Sequence, residues 1–170
     1  MSKTIESIIK NKINVSEIAK AIRAEGYKTK TEKKRKSPAV LVGGLLERLR
    51  SPDRFQKLED GWVKDSLLGI DWGPSSSNRM NWGDAKKYCV DQKGRLPEID
   101  ELASLADRSK RDPAINTEAF PDTKTDDWYW TATEVAGFSG NAWLVDFDEG
   151  YVGYCFEDGD GYVRPVRSSQ

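Results

Sequence analysis

The sequence predicts an α+β fold in two parts, a small basic domain over residues 1–65 and a larger domain over residues 66–170. Near the C-terminus, short aromatic and β-branched runs separated by Gly, Asp and Ser indicate a small antiparallel sheet. Apolar residues at helical spacing indicate helices in both parts. Charge separates the parts as well, because residues 1–65 hold 16 Lys and Arg against 9 Asp and Glu, whereas the remainder holds 11 against 19. The two parts are therefore expected to face different partners, or each other.

Composition narrows the chemistry that is expected. His is absent, which removes the commonest general base and the usual Ser-His and Cys-His nucleophile arrangements. Cys89 and Cys155 form no CxxC pair, so we expect free thiols, no zinc site and no cofactor. The N-terminus shows neither an apolar signal-peptide core nor a membrane span, which predicts a cytoplasmic protein.

The basic part is predicted to contain three helices and a hairpin. Apolar spacing places the helices near residues 5–9, 14–26 and 37–49, with Ser37 and Pro38 as the capping and first-turn pair of the third. The hairpin follows over residues 55–64, with the turn Glu59-Asp60-Gly61. This order of elements describes a winged helix, and residues 3–65 resemble the winged helix-turn-helix domains of bacterial regulatory and restriction-associated proteins.

That resemblance implies contact with DNA through the third helix and the basic loop before it. The implied nucleic-acid-binding residues are Lys33, Lys34, Arg35, Lys36, Arg48 and Arg50. The third helix, AVLVGGLLERL, is poor in the Arg, Asn and Gln that read base edges, so any DNA or RNA binding is expected to be nonspecific. Docking to another protein, or oligomerisation, is the other function expected of this part. If the part does bind nucleic acid, the alternative function of the whole chain is a nucleic-acid-binding regulator in which the larger part acts as a sensor or an oligomerisation unit.

The larger part begins near residue 66 with a Gly- and Ser-rich stretch over residues 66–81, where the apolar Leu67, Leu68, Ile70 and Trp72 are consistent with a first strand. Two helical motifs follow. NWGDAKKYC predicts a helix with Trp82, Ala85 and Cys89 on its inner face. GRLPEIDELASL predicts a second helix with Pro97 in its first turn and with Glu98, Asp100 and Glu101 near its N-terminal end. The strand motifs YWTAT, AWLVDF and YVRPVR follow in order.

Taken together, these five motifs resemble the Lcl C-terminal domain family over about residues 67–167. The resemblance implies a C-type-lectin-like fold, related to that of formylglycine-generating enzymes, with one small antiparallel sheet and two helices. One departure is Glu98, where the family usually has a Thr or Ser cap. Core positions are expected at Trp82, Trp130, Trp143 and Phe147. Structural roles are expected for Arg95, Arg164 and Arg167, with Arg95 and Arg164 as possible partners of Glu101.

Catalysis and calcium binding receive little support from the residues. The cysteine pair of formylglycine-generating enzymes is absent, so the chain is expected not to be an enzyme. Asp146, Asp148 and Glu157 match three positions of an EF-hand, but Tyr151 stands where that loop requires Gly. A weak cation site formed by Glu157 with Asp158 and Asp160 stays open as an alternative, although no metal site is predicted.

The stretch from Tyr151 to Tyr162 mixes large aromatic residues with Gly and Asp, a composition typical of binding surfaces. We predict that it binds a protein ligand noncovalently, with its acidic residues favouring a basic patch. The family resemblance further implies a variable protein of a diversity-generating retroelement, of the kind associated with phages, with Gly150, Val152 and residues 163–167 as framework. The predicted ligand-binding residues are Tyr151, Tyr154, Cys155, Phe156, Glu157, Asp158, Asp160 and Tyr162.

Overall fold

The computed structural model describes residues 51–169, together with residues 44 and 47–49. After a 3₁₀ turn at Pro52–Arg54, two helices and seven strands follow in chain order. They are β1 (Phe55–Lys57), β2 (Val63–Asp65), β3 (Ile70–Trp72), α1 (Trp82–Asp91), α2 (Ile99–Ala103), β4 (Tyr129–Glu134), β5 (Asn141–Val145), β6 (Val152–Phe156) and β7 (Val166–Ser168). The part of the chain that is described is therefore α+β with two small sheets, as the sequence predicts in outline.

The first sheet has the strand order β1-β2-β3-β7, and all its neighbours are antiparallel. β1 and β2 form the hairpin expected from the sequence, and Gly61 occupies the left-handed region at its turn with φ of 84°. β2 then pairs with β3, and β3 pairs with β7 so that Trp72 lies opposite Val166. The hairpin that was predicted for the basic domain therefore forms two strands of the sheet that also contains β7.

The second sheet has the order β4-β5-β6, and β6 forms one edge. Two of the three aromatic runs predicted to form one sheet are β4 and β5, which pair directly. The third run, over residues 162–166, does not join them as a strand. Tyr162 makes a single parallel bridge to Tyr129, and the chain then crosses to the first sheet at Val166. The prediction of one sheet is corrected to two, because the chain leaves β4 after that bridge.

Two clusters of buried side chains hold the described part together. One joins both sheets to α2 and includes Trp72, Leu102, Tyr129 and Phe147. The other lies beneath α1, whose Trp82, Ala85 and Cys89 are buried against Trp130 and Leu144, as the helical spacing predicts. A fully buried side chain of this size contributes about 1.5–3 kcal/mol. β5 is held by both clusters, by the second through Ala142 and Leu144 and by the first through Val145.

Thr133 of β4 organises the start of α2. Its hydroxyl accepts a hydrogen bond from the backbone N–H of Ile99 at 3.0 Å and donates one to the Glu98 carboxylate at 2.7 Å. The Glu101 carboxylate in turn accepts from the backbone N–H of Glu98 at 2.8 Å. A threonine from a neighbouring strand therefore supplies a hydroxyl where the helix start has Glu in place of the usual Ser or Thr.

The predicted structural arginines form ion pairs, although one partner differs from the prediction. Arg95 pairs with Glu101 through two contacts of 2.8 Å, which confirms that part. Arg164 pairs instead with Asp122, at 2.8 Å, and also donates to the carbonyl of Gly73. The correction follows from the crossing between sheets, which carries the buried Arg164 side chain to the Gly73 side of the fold. Arg167 pairs with carboxylates of the first sheet and its hairpin, at Asp71 and Asp60.

The first two helices of the predicted winged helix, and most of the third, lie outside the described residues, so the winged helix stays a prediction. Among the described residues, no helix has the length and apolar character needed to span a membrane.

Candidate ligand-binding surface

The edge strand β6 exposes an unusual set of side chains. The structure places Tyr154 and Phe156 of β6, both predicted as ligand-binding, on its surface together with Val152. Alternation along a strand puts these three side chains on one face. Their exposed fractions are 39% for Val152, 54% for Tyr154 and 66% for Phe156. Burial therefore does not explain why this strand is apolar.

Aromatic residues from neighbouring elements extend this face. The Trp143 ring of β5 meets the Tyr154 ring edge to face, with centroids 5.7 Å apart. Phe138, from the turn between β4 and β5, lies 6.2 Å from Tyr154 and is 60% exposed. We call the set Phe138, Trp143, Val152, Tyr154 and Phe156 the β6 surface.

Two residues of the β6 surface, Trp143 and Phe138, were not predicted from the sequence to belong to it. Trp143 was predicted to be core, but it is half-buried because its side chain lies on the same face of the sheet as Tyr154, its cross-strand partner. Phe138 was not predicted as a site residue. A large apolar residue inside the turn sequence AGFSG was the available signal, since packing alone does not require one there.

The backbone of β6 is bonded on one side only. The carbonyl of Tyr151 accepts from Asp146 N–H, and the N–H of Glu157 donates to the carbonyl of Gly140, both at 2.9 Å. Alternate residues of an antiparallel strand direct their backbone groups to opposite sides. The N–H groups of the residues between them, at 152, 154 and 156, therefore point to the open edge. No strand of the described part pairs with that edge.

The opposite face of β6 is close to the core. A Cβ on Gly153 would meet the Trp128 ring at 3.1 Å, and one on Gly159 would meet the Cys155 sulfur at 2.9 Å. Alternation along the strand places Cys155 on the face opposite the aromatic side chains, and its free thiol is exposed. Gly153 and Gly159 therefore allow close packing at these positions, in addition to the flexibility that glycine gives to a loop.

Tyr151 lies just before β6 and is 58% exposed. A hydrogen bond to Glu149 and the charge of that carboxylate raise the pKa of the Tyr151 phenol. Glu149 also pairs with Arg111. Asp146 accepts hydrogen bonds from the backbone N–H groups of Asp148 and Glu149, so its carboxylate shapes the turn before β6.

Acidic residues follow β6 directly. Asp158 and Asp160 are exposed and Glu157 is half-buried. Ion pairs in the described residues involve none of these three carboxylates. Across the same part of the chain, no group of three or more Cys, Asp or Glu side chains is arranged to hold a metal ion.

Tyr162 is the one predicted ligand-binding residue that the structure places in the core. Only 8% of it is exposed, and its ring packs against Tyr129 with centroids 5.6 Å apart. Backbone hydrogen bonds to Trp128 and Trp130 hold it there. Burial, with Asp126 close to the phenol, raises the pKa of Tyr162. It belongs with the framework, and only its hydroxyl reaches a polar partner, Asp126, at 3.4 Å.

Of the six predicted nucleic-acid-binding residues, the described part of the chain contains only Arg48. Arg48 is exposed in a helical segment, whereas Lys33, Lys34, Arg35, Lys36 and Arg50 lie outside the described residues. Nucleic-acid binding stays a prediction.

Comparison with known proteins gives one family match. The model of the Lcl C-terminal domain matches residues 61–167. No curated protein sequence matches the chain. Among solved structures, a crystal structure of botrocetin aligns with a TM-score of 0.41 and 13% identity, over 70% of this chain and 98% of that one.

Proposed function

Because the chain belongs to the Lcl C-terminal domain family, we propose that it is a noncovalent ligand-binding protein that takes a protein ligand on the β6 surface. The observation that carries this proposal is the grouping of exposed apolar side chains. Of the six large apolar side chains exposed in the described residues, four belong to the β6 surface, at positions 138, 152, 154 and 156. A contiguous patch of this kind is typical of an interaction site, whereas single exposed residues are not.

Aromatic anchors held by a rigid scaffold supply affinity at low entropic cost. Trp143 and Phe138 contact Tyr154, so its ring is partly ordered before a ligand arrives. Behind these side chains, β5 is packed through Ala142 and Leu144 into the cluster beneath α1. An aromatic hot-spot residue contributes about 2 kcal/mol or more to binding, so Tyr154 and Phe156 are the residues whose loss should weaken the complex most.

The ligand is proposed to be basic. Glu157, Asp158 and Asp160 border the β6 surface without ion pairs in the described part, and opposite charge on a partner would steer association. A polar, charged rim around an apolar centre is also the usual anatomy of a protein interface.

The finer proposal is that this is a diversified binding protein with a C-type-lectin-like fold. Tyr151, Gly153, Tyr154, Cys155 and Phe156 can each arise from an Asn codon by changes at adenines alone, and all of them except Gly153 are exposed. Substitution at the four exposed positions would change the surface and leave the buried clusters intact. Sequencing the 3′ end of the gene in several isolates tests this: adenine-specific differences from a nearby template repeat support diversification, and invariance without a repeat or a reverse-transcriptase gene contradicts it.

Binding itself is tested by comparing three forms of the full chain as bait for basic proteins from the natural host of the gene. We expect the Tyr154→Ser/Phe156→Ser variant to lose at least tenfold in ligand capture, which corresponds to about 1.4 kcal/mol. Val90→Ser is the matched control, since Val90 is also exposed but lies on α1. Equal capture by all three forms would place the binding site elsewhere.

A further inference from the structure

We propose that the ligand contributes an extended basic segment that adds to β6 as an antiparallel fourth strand of the second sheet. This inference rests on the proposed function and specifies how the ligand binds. In strand addition, backbone hydrogen bonds contribute affinity that does not depend on the ligand sequence. Contacts of alternate side chains do depend on the sequence and contribute specificity.

The open edge and the apolar face coincide in the same residues. Val152, Tyr154 and Phe156 direct their N–H groups to the edge and their side chains to the β6 surface. The carbonyl of Phe156 is already bonded to Gly159 N–H, so the free carbonyls of this set are those of residues 152 and 154. In an added antiparallel strand, the residues bonded to this set place their own side chains on the same face. The ligand therefore needs apolar residues at every second position.

The β6 edge lacks the usual protection against strand pairing. Edge strands are commonly shielded by Pro, by charged residues or by a bulge, and Val-Gly-Tyr-Cys-Phe contains no Pro or charge and pairs with β5 in continuous register. The other edge of this sheet is different. β4 has an irregular register, and its N–H groups at Trp130 and Ala132 donate to Tyr162 and Pro97. Only β6 is left open in this sheet of the described part.

Charge selects a basic partner over a second copy of this chain. If two β6 strands paired antiparallel about Tyr154, Glu157 of one copy would lie opposite Tyr151 of the other, beside its Glu149. Asp158 would approach the same end. Like charges facing each other across strands are destabilising, whereas Lys or Arg on a ligand strand would be attracted by the carboxylates after β6.

The experiment uses the full chain, labelled with ¹⁵N, and a seven-residue peptide of alternating Lys and Val with blocked ends. Amide exchange is measured by NMR with and without the peptide at millimolar concentration. We expect exchange at Val152, Tyr154 and Phe156 to slow by about tenfold or more, because these N–H groups gain acceptors. Exchange at Gly153, whose N–H faces β5, should change little.

Backbone methylation of the peptide separates strand addition from side-chain contact. Methylating the backbone nitrogens of the Val residues removes the N–H donors that would face β6, so binding should be lost. Methylating the backbone nitrogens of the Lys residues modifies only the outer edge of the added strand and should leave the affinity within about threefold. A peptide with Glu in place of Lys should bind at least tenfold more weakly at low salt.

Three outcomes would overturn the proposal. The first is no protection of the three amides, and the second is equal binding of the two methylated peptides. The third is protection in the free protein that increases with its concentration, which would assign the edge to a second copy. If capture of host proteins still depends on Tyr154 and Phe156 when strand addition fails, the proposed function stands without this binding mode.

Discussion

Arg54 and Asp65 form a buried ion pair that joins the first hairpin to the rest of the described structure. The guanidinium Nη2 lies 2.6 Å from Asp65 Oδ2, and neither side chain is more than 1% exposed. Arg54 also donates to Ser104 after α2, while Asp65 accepts from the indole N–H of Trp72. The hairpin, the end of α2 and β3 therefore all depend on this one ion pair. A buried charge is costly unless its partner is also present.

Asp65→Asn should destabilise the protein strongly. The change leaves Arg54 buried without its counter-charge, and breaking such a pair typically costs about 3–5 kcal/mol. Urea denaturation followed by tryptophan fluorescence measures the loss. The control is Asp53→Asn, an exposed carboxylate on the same segment, which we expect to change stability by less than about 0.5 kcal/mol. Similar stabilities for the two variants would show that the buried pair contributes little.

Gly161→Ala should destabilise the fold by about 1–3 kcal/mol. A Cβ at this position would lie 3.0 Å from Trp130 Nε1 and 3.1 Å from the Trp128 carbonyl. Neither atom can easily retreat, because the indole donates to Met80 O and the carbonyl accepts from Tyr162 N. Thermal unfolding measures the effect.

The control for that substitution is Gly83→Ala, in the first turn of α1. Its Cβ would be 3.4 Å from Asn81 Oδ1, an ordinary contact, and Ala favours the helix by roughly 0.5–1 kcal/mol over Gly. We therefore expect the two Gly→Ala changes to have opposite signs. A Gly161→Ala protein as stable as the original would contradict the close packing described for residue 161.

The two thiols should differ in reactivity. Cys89 is fully buried in α1, and desolvation raises the pKa of its thiol to about 12, opposed only weakly by Arg95. Cys155 is exposed. A disulfide reagent at pH 8 should therefore modify one thiol per folded chain, and two after denaturation. Cys155→Ser should abolish the reaction of the folded protein; persistence of that reaction would contradict the burial of Cys89.

Acid should weaken the fold in part through Asp122. Burial raises the pKa of this carboxyl, but the charge and hydrogen bond of Arg164, with a hydrogen bond from the backbone N–H of Ser75, outweigh burial and leave the pKa below its ordinary value of 3.8. A lowered pKa contributes stability above about pH 4, and that contribution is lost as the pH falls through the folded-state value. Urea unfolding at pH 6 and pH 3 should show a smaller loss for Asp122→Asn than for the original protein. An equal loss would assign the acid sensitivity to other carboxylates.

The sequence predicted the local elements well because local signals determine them. The helical spacing of Trp82, Ala85 and Cys89 identified the inner face of α1, and the charge and spacing of Arg95 and Glu101 identified their ion pair. The aromatic content of β6 identified most of an exposed surface. These features depend on residues close in sequence or on one face of one element.

Features set by long-range pairing were not predicted. Nothing near Arg164 indicates that its partner is Asp122, and nothing in the run 162–166 indicates that the chain leaves β4 after Tyr162, because both depend on where the chain crosses between sheets. Trp143 was misplaced for a related reason, since the exposure of one face of β5 depends on what covers it. The hairpin formed as predicted, but the pairing of β2 with β3 could not be inferred from the residues of the hairpin.

The pairing of β3 with β7 has a consequence for synthesis of the protein. The ribosome must make the whole segment between Trp72 and Val166 before the first sheet can acquire its last strand. Until then, β3 presents an unpaired edge, and the aromatic side chains that β7 helps to cover remain accessible to other chains or to chaperones. The nascent domain is therefore expected to complete its folding only after Ser168 has left the exit tunnel.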